Sequence, residues 1–191
     1  QHHGDLKMIK RYLNPLLLLA ALLLTLGGCA THNTVSDGAD SKLMLKGHDP
    51  VAYFTMNKPV PGKPDIKADH EGVTYRFMNA ENRALFVQSP DKYKPQYNGF
   101  CSNGLVYAIP LGGNYDNFKI VDGRLFMFGG ENSKKYWEMD QSRNLQLGDN
   151  YWKTEVQGSI PRIQSWKRLL FKVPHYKTNR ELAAEWDARQ G

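Results

Sequence analysis

The segment His70 to Cys101, HEGVTYRFMNAENRALFVQSPDKYKPQYNGFC, constrains the fold more than any other part of this 191-residue chain. Val73, Tyr75 and Phe77 alternate with Thr74, Arg76 and Met78, which is the period of a half-buried strand. Asn79 offers a helix N-cap, and Ala80 to Gln88 supplies helix formers with Leu85 and Phe86 on an apolar face. Ser89-Pro90-Asp91 stops that helix, because proline lacks an amide hydrogen and disfavours the helical region for the residue before it.

Other elements follow from the same signals. LMLKGHDPVAYF gives a short apolar segment, a turn at Gly47 to Pro50 and a strand from Val51 to Phe54. Lys58 to Asp65, with three prolines and a glycine, reads as a loop. Leu105 to Ile109 reads as a buried strand ended by Pro110 and Gly112-Gly113. Phe118–Val121 and Leu125–Phe128 flank Asp122-Gly123, the dipeptide of a type I′ hairpin. Ser133 to Asp140 is a short helix with Tyr136, Trp137 and Met139 on its apolar side. Strands interleaved with short helices predict an α+β fold with a small mixed or antiparallel sheet. No phosphate-binding glycine loop and no internal repeat is evident.

A C-terminal helical extension over 156–191 completes the chain. Pro161 opens a helix in which Ile163, Trp166, Leu169 and Leu170 share one face, with Arg162, Lys167, Arg168 and Lys172 outside it. Thr178 and Glu181 have capping-box spacing for a second helix, whose inner face carries Leu182 and Trp186. Packing of both helices on the domain is the expectation. The alternative lays the basic, tryptophan-bearing first helix on a membrane.

The N-terminal 28 residues read as a leader. Residues 1–7 fit no structural pattern and are taken as a non-native or misassigned start. From Met8 the pattern is Lys10-Arg11, the apolar run Leu16–Leu26, then Gly27-Gly28-Cys29. That run is too short to span a bilayer as a helix and suits a signal-peptide core. Its ending resembles a bacterial lipobox, which implies lipidation at Cys29. With alanine rather than aspartate at position 30, it also implies an outer-membrane, periplasm-facing lipoprotein of a Gram-negative cell. Residues 29–42 would then be the lipidated cysteine and a flexible tether carrying a solvated His32. The net charge of +6 falls to about +4 without the leader and forms no run of like charge, which argues against a nucleic-acid partner.

Several words of the sequence, in order, resemble a YHS domain. They are Lys46-Gly47-His48-Asp49-Pro50-Val51-Ala52-Tyr53-Phe54, His70-x-Gly72-x-x-Tyr75-x-Phe77, Glu81-Asn82-x-x-x-Phe86, Pro90-x-Lys92-Tyr93 and Tyr97-x-Gly99-Phe100-Cys101. Ile120–Leu125 and the helix bearing Trp137 continue the likeness, which covers roughly residues 45–155 and sets a domain over 43–155. The resemblance implies a small metal-handling accessory module, copper first. In the metal-binding versions, cysteines stand where this chain has Met78 and Asn82, so the two thiolates that would select copper(I) or zinc are absent.

Cys101 remains, with three readings: a small buried hydrophobe, a metal ligand joined by His70, His48 or the Met78 thioether, or a reactive thiol. No triad order, paired-carboxylate spacing or HExxH supports catalysis, and Tyr93, Tyr97, Tyr107, Asp49 and Asp91 have ordinary structural explanations. The expected partners are a membrane through the N-terminal lipid, and a metal ion or a periplasmic protein. The alternative function is a non-catalytic envelope interaction or structural protein that has lost its metal ligands, or a thiol redox partner acting through Cys101.

Overall fold

Two backbone triplets turn through the left-handed region, Leu45-Lys46-Gly47 (φ 54°, 49° and 80°) and Tyr97-Asn98-Gly99 (φ 52°, 53° and 79°). Each opens a structural unit of the same design. The computed structural model describes residues 31–191. The leader reading and the lipidation of Cys29 lie outside the described residues.

The first unit runs from the left-handed turn to helix α1 (Ala52–Met56), strands β3 (Lys63–His70) and β4 (Val73–Phe77) and helix α2 (Ala80–Gln88). The second runs from its turn to helix α4 (Ser102–Leu105), strands β5 (Asn114–Val121) and β6 (Arg124–Phe128) and helix α5 (Glu131–Glu138). The short helix α3 (Pro90–Tyr93) joins them. The hairpin strands and following helices correspond at a constant spacing of 51 residues, with Lys63 against Asn114, Phe77 against Phe128 and Phe86 against Trp137. Register irregularities fall at matching places, between Lys63 and Lys67 and between Asn114 and Phe118. Both hairpins turn on two positive-φ residues, Glu71-Gly72 and Asp122-Gly123, as a type I′ turn requires.

The cores repeat as well. Phe86 packs against Tyr75 and Phe77, and Trp137 packs against Phe126 and Phe128. Strand β6 joins the two cores because its side chains alternate: Leu125 and Met127 enter the first, Phe126 and Phe128 the second. A sequence with no visible repeat therefore folds as a duplication. What the copies share is a few glycines and apolar positions, Gly62 with Gly113 above all. A Cβ at Gly62 would stand 2.5 Å from the Arg76 carbonyl carbon, and one at Gly113 would stand 2.4 Å from the Gly99 oxygen.

The fold is α+β, with a four-stranded mixed sheet in the order β1-β2-β4-β3 and the two-stranded β5-β6 ribbon. Strands β1 (Thr34–Asp37) and β2 (Asp40–Met44) correct the tether reading of residues 34–42. The hairpin carries little apolar periodicity because charges hold it. Buried Asp40 accepts from Lys67 Nζ at 2.6 Å and from Arg76 Nε at 2.9 Å, and Arg76 also pairs with Asp37. Those hydrogen bonds hold the Asp40 carboxyl below its ordinary pKa. His32 is half-buried rather than solvated, and burial lowers its pKa.

Two further expectations are corrected. Val51–Phe54 lies at and within a helix, because Asp49 Oδ1 accepts from the Val51 and Ala52 amides at 2.8 and 3.3 Å and caps α1. Leu105–Ile109 is buried but closes α4 and a turn, with Ala108 at φ 57°. Helix α2 starts on the Asn79 cap as expected, with Phe86 buried, but Leu85 is exposed.

After α5 the chain forms α6 (Gln141–Tyr151), which runs into a π-helical turn at Trp152–Val156. Helix α7 (Pro161–Leu170) and helix α8 (Asn179–Gln190) follow. The Thr178–Glu181 capping box is present, Leu182 is buried and Trp186 half-buried. The packing expected of the α7 apolar face is not found: Ile163, Trp166, Leu169 and Leu170 are all exposed.

Candidate functional site

The duplication places Asp49 and Cys101 at equivalent points, just after the left-handed turns. Asp49 N donates to Val60 O at 2.8 Å, and Cys101 N donates to Leu111 O at 2.8 Å. Each side chain then receives the first amide beyond the hairpin's last strand. Met78 N donates to Asp49 Oδ2 at 2.9 Å, and Gly129 N donates to Cys101 Sγ at 3.1 Å.

In the first unit the carboxylate saturates the site. Asp49 is fully buried and accepts a fourth hydrogen bond from Asn82 Nδ2 at 2.7 Å, so Val51, Ala52, Met78 and Asn82 all converge on it. In the second unit the positions matching Met78 and Asn82 are Gly129 and Ser133. A Cβ at Gly129 would lie 3.7 Å from Cys101 Sγ and 3.8 Å from Ser133 Oγ. Three positions thus meet at one point, with a single thiol among them. Cys101 is itself buried in the second core.

The sequence-derived candidates do not assemble. His48 stacks on Tyr115 at 4.0 Å between ring centroids and donates through Nδ1 to Leu45 O at 3.0 Å. His70 pairs with Val73 at one end of β4, while Met78 follows the other end. Cys101 lies in the second core, and His70 packs edge-on against Phe86 in the first.

Among the described residues the group able to hold a metal ion is His70, Glu71 and Asp91, whose ligand atoms lie within 4.8 Å of one another. The buried His70 Nε2 has no hydrogen-bond partner and stands 3.8 Å from Glu71 Oε1. The carboxylates already share a cation, since Lys94 Nζ reaches Glu71 at 3.0 Å and Asp91 at 2.7 Å. Burial works against the charge on Lys94, but the hydrogen bonds it donates to Asp91 and Glu71 outweigh it and raise its pKa. The sequence alone does not mark Glu71 or Asp91 as a ligand, because only the helix α3 turn brings Asp91 to the β3–β4 hairpin.

A second polar cluster joins Tyr97, Arg124 and Asp149. Tyr97 Oη donates to Asp149 Oδ1 at 2.9 Å, and Arg124 grips both Asp149 oxygens at 2.6 and 2.9 Å. Burial, then the adjacent Asp149 carboxylate, push the Tyr97 phenol far above its ordinary pKa, so it remains a donor. A cleft of about 190 Å³ lies beside α8, lined by Asn103, Tyr107, Arg143, His175, Glu185 and Arg189 among others. There His175 Nε2 donates to Val106 O at 2.8 Å, and burial pushes the Tyr107 phenol up to about 12. Within it Glu185 pairs with Lys177 and Arg189, and His175 is tied to a backbone carbonyl.

No family model, no curated protein and no solved structure matches the chain.

Proposed function

We propose that this chain is a membrane-anchored, non-catalytic envelope module. On this reading it keeps the YHS-like fold in duplicate after losing the metal ligands, and it acts through surface contacts with a periplasmic partner. The observation that carries it is the chemistry at the two equivalent points. Where soft thiolates would be needed to select copper(I) or zinc, the first unit has a hydrogen-bonded Asp49–Asn82 pair and the second has one cysteine with Gly129 and Ser133. Asp49 spends its lone pairs on four protein donors, so a metal there would have to break the cap of α1 and the entry of α2. The Cys101 sulfur is buried and accepts a backbone amide, which favours a structural thiol over a redox partner.

The experiment is a copper(I) titration of the full chain in detergent against a competing chelator, with Cys101→Ser alongside. The reading expects no stoichiometric binding by either protein. Binding that disappears in Cys101→Ser returns the copper-handling function to first place.

A second reading is favoured by the unpartnered His70 Nε2: a divalent cation held by His70, Glu71 and Asp91. Such an ion must displace Lys94. Zinc binding that strengthens in Lys94→Ala and vanishes in His70→Ala would support it.

A further inference from the structure

Helix α7 packs with its polar side inward. Gln164, 5% exposed, is the buried residue of the helix, and its amide donates to Ala108 O and to Glu155 Oε2, each at 3.2 Å. Arg168 Nε donates to the same carboxylate oxygen at 2.9 Å. By contrast Ile163, Trp166, Leu170 and the adjoining Phe171 are 61, 60, 71 and 70% exposed. At the helical repeat Ile163, Trp166 and Leu170 fall on one side, with Leu169 at its margin and Gln164 and Arg168 opposite. A helix of a globular core does the reverse. Contiguous exposed apolar side chains of this size mark an interaction surface.

Charge identifies the occupant. From Ile160 to Lys172 there are four cations, Arg162, Lys167, Arg168 and Lys172, and no acidic residue. Arg168 and Lys167 are drawn to Glu155, while Arg162 and Lys172 make no ion pair among the described residues. Tryptophan, leucine and phenylalanine on one face with arginine and lysine around it is the chemistry of a helix lying in a membrane interface, attracted by anionic headgroups.

The position of the helix agrees. Asn33 Nδ2 donates to Gly99 O at 3.0 Å and to Gly113 O at 2.8 Å, and its Oδ1 lies beside Gly112. From Gly112 the chain runs back through exposed Leu111 to Ala108, whose carbonyl holds Gln164. Four peptide units reach at most about 14 Å, so α7 docks near the point where residues 31–33 join the domain. Cys29, the attachment point of the membrane-anchored reading, is two residues before Thr31 in the sequence.

We propose that α7 and Phe171 lie in the interface of an anionic bilayer, making a second attachment beside the N-terminal one. The proposal rests on the membrane-anchored reading above for its address, and the test separates the two.

The full chain is mixed with vesicles of phosphatidylethanolamine and phosphatidylglycerol carrying brominated acyl chains, and tryptophan fluorescence and co-sedimentation are read together. The expected result is quenching in the wild type that is largely lost in Trp166→Phe and falls several-fold in Leu170→Ser/Phe171→Ser, both exposed positions whose replacement leaves the circular dichroism unchanged. Phosphatidylcholine vesicles are expected to quench several-fold less. Equal quenching in wild type and Trp166→Phe overturns the proposal, and if the protein still sediments with the vesicles the anchor reading survives. Sedimentation that depends on Leu170 and Phe171 alone supports the proposal and removes the anchor. A dimer in solution that dissociates on Leu170→Ser assigns the face to a second copy and overturns the proposal.

Discussion

Asp49 and Cys101 are structural counterparts: the Asp49 carboxylate accepts the Met78 amide at 2.9 Å, and the Cys101 sulfur accepts the Gly129 amide at 3.1 Å. Both hydrogen bonds tie the start of a unit to the point where its hairpin hands over to its helix. The same backbone relationship is kept by an anion in one copy and a thiol in the other, which assigns the position to holding the fold.

The two positions should differ in weight. Asp49→Ala leaves four donors without their acceptor in a fully buried site, and each buried orphan costs about 1–3 kcal/mol. We expect a loss of at least about 3 kcal/mol in urea unfolding. Cys101→Ala orphans one amide and leaves a small void, for about 1–3 kcal/mol. Equal losses, or a larger one at Cys101, would contradict the hub assigned to Asp49.

Thiols introduced at the convergent point should create a metal site. In Gly129→Cys/Ser133→Cys, two new sulfurs join Cys101 where the spacing already approaches 4 Å. The expected gain is one equivalent of copper(I) or zinc, read by chelator competition and lost again in Cys101→Ser. Folded double variant with no metal affinity would show that the three positions do not form a ligand set.

Phe86 and Trp137 fill matching places in the two cores, and both are essentially inaccessible. Large-to-small replacement at such sites costs about 3–5 kcal/mol. Each of Phe86→Ala and Trp137→Ala should therefore fall in this range by chemical denaturation. Since β6 joins both cores, unfolding should stay a single transition in each variant. Two resolved transitions would show that the units fold independently.

The Asp149 cluster predicts an acid dependence. Burial opposes ionisation of this carboxyl, but the hydrogen bonds from Arg124 and Tyr97 outweigh it and depress its pKa in the folded state. The stabilisation is fully present above the unfolded value of about 4 and is lost as pH falls through the lower folded value. Asp149→Asn should cost about 1 kcal/mol at neutral pH, given partial solvent screening, and nothing at the acid end. A cost that is the same at pH 7 and below pH 3 (roughly, by the carboxylate range) would exclude the ion pair as its source.

Much of the local structure is legible in the sequence. Asn79, Pro90, Asp122-Gly123 and the Thr178–Glu181 box act within a few residues of themselves, and each does what its chemistry predicts. Failures occur where a distant partner decides. Strands β1 and β2 are held by Lys67 and Arg76 from other strands, so their polar residues conceal them. Val51–Phe54 is β-branched and aromatic, yet the Asp49 cap makes the segment helical. The duplication was hidden because hydrogen-bond acceptance by aspartate and by cysteine leaves no common letter. Its readable traces are the recurrence of glycine at Gly47 and Gly99, at Gly62 and Gly113, and at Gly72 and Gly123, and of phenylalanine at Phe77 and Phe128. The periodicity of α7 shows its apolar face, but the direction in which the helix turns depends on Glu155 and Ala108, which periodicity cannot report.

The most direct test of a structural Cys101 is the rate at which a thiol reagent labels it in the native full chain and across a urea titration, with Cys101→Ser subtracted to remove any signal from Cys29. For a buried structural thiol, labelling tracks global unfolding and is negligible in the native state. Rapid native labelling, or labelling blocked by stoichiometric copper(I), would contradict this role and make Cys101 a working ligand or redox thiol.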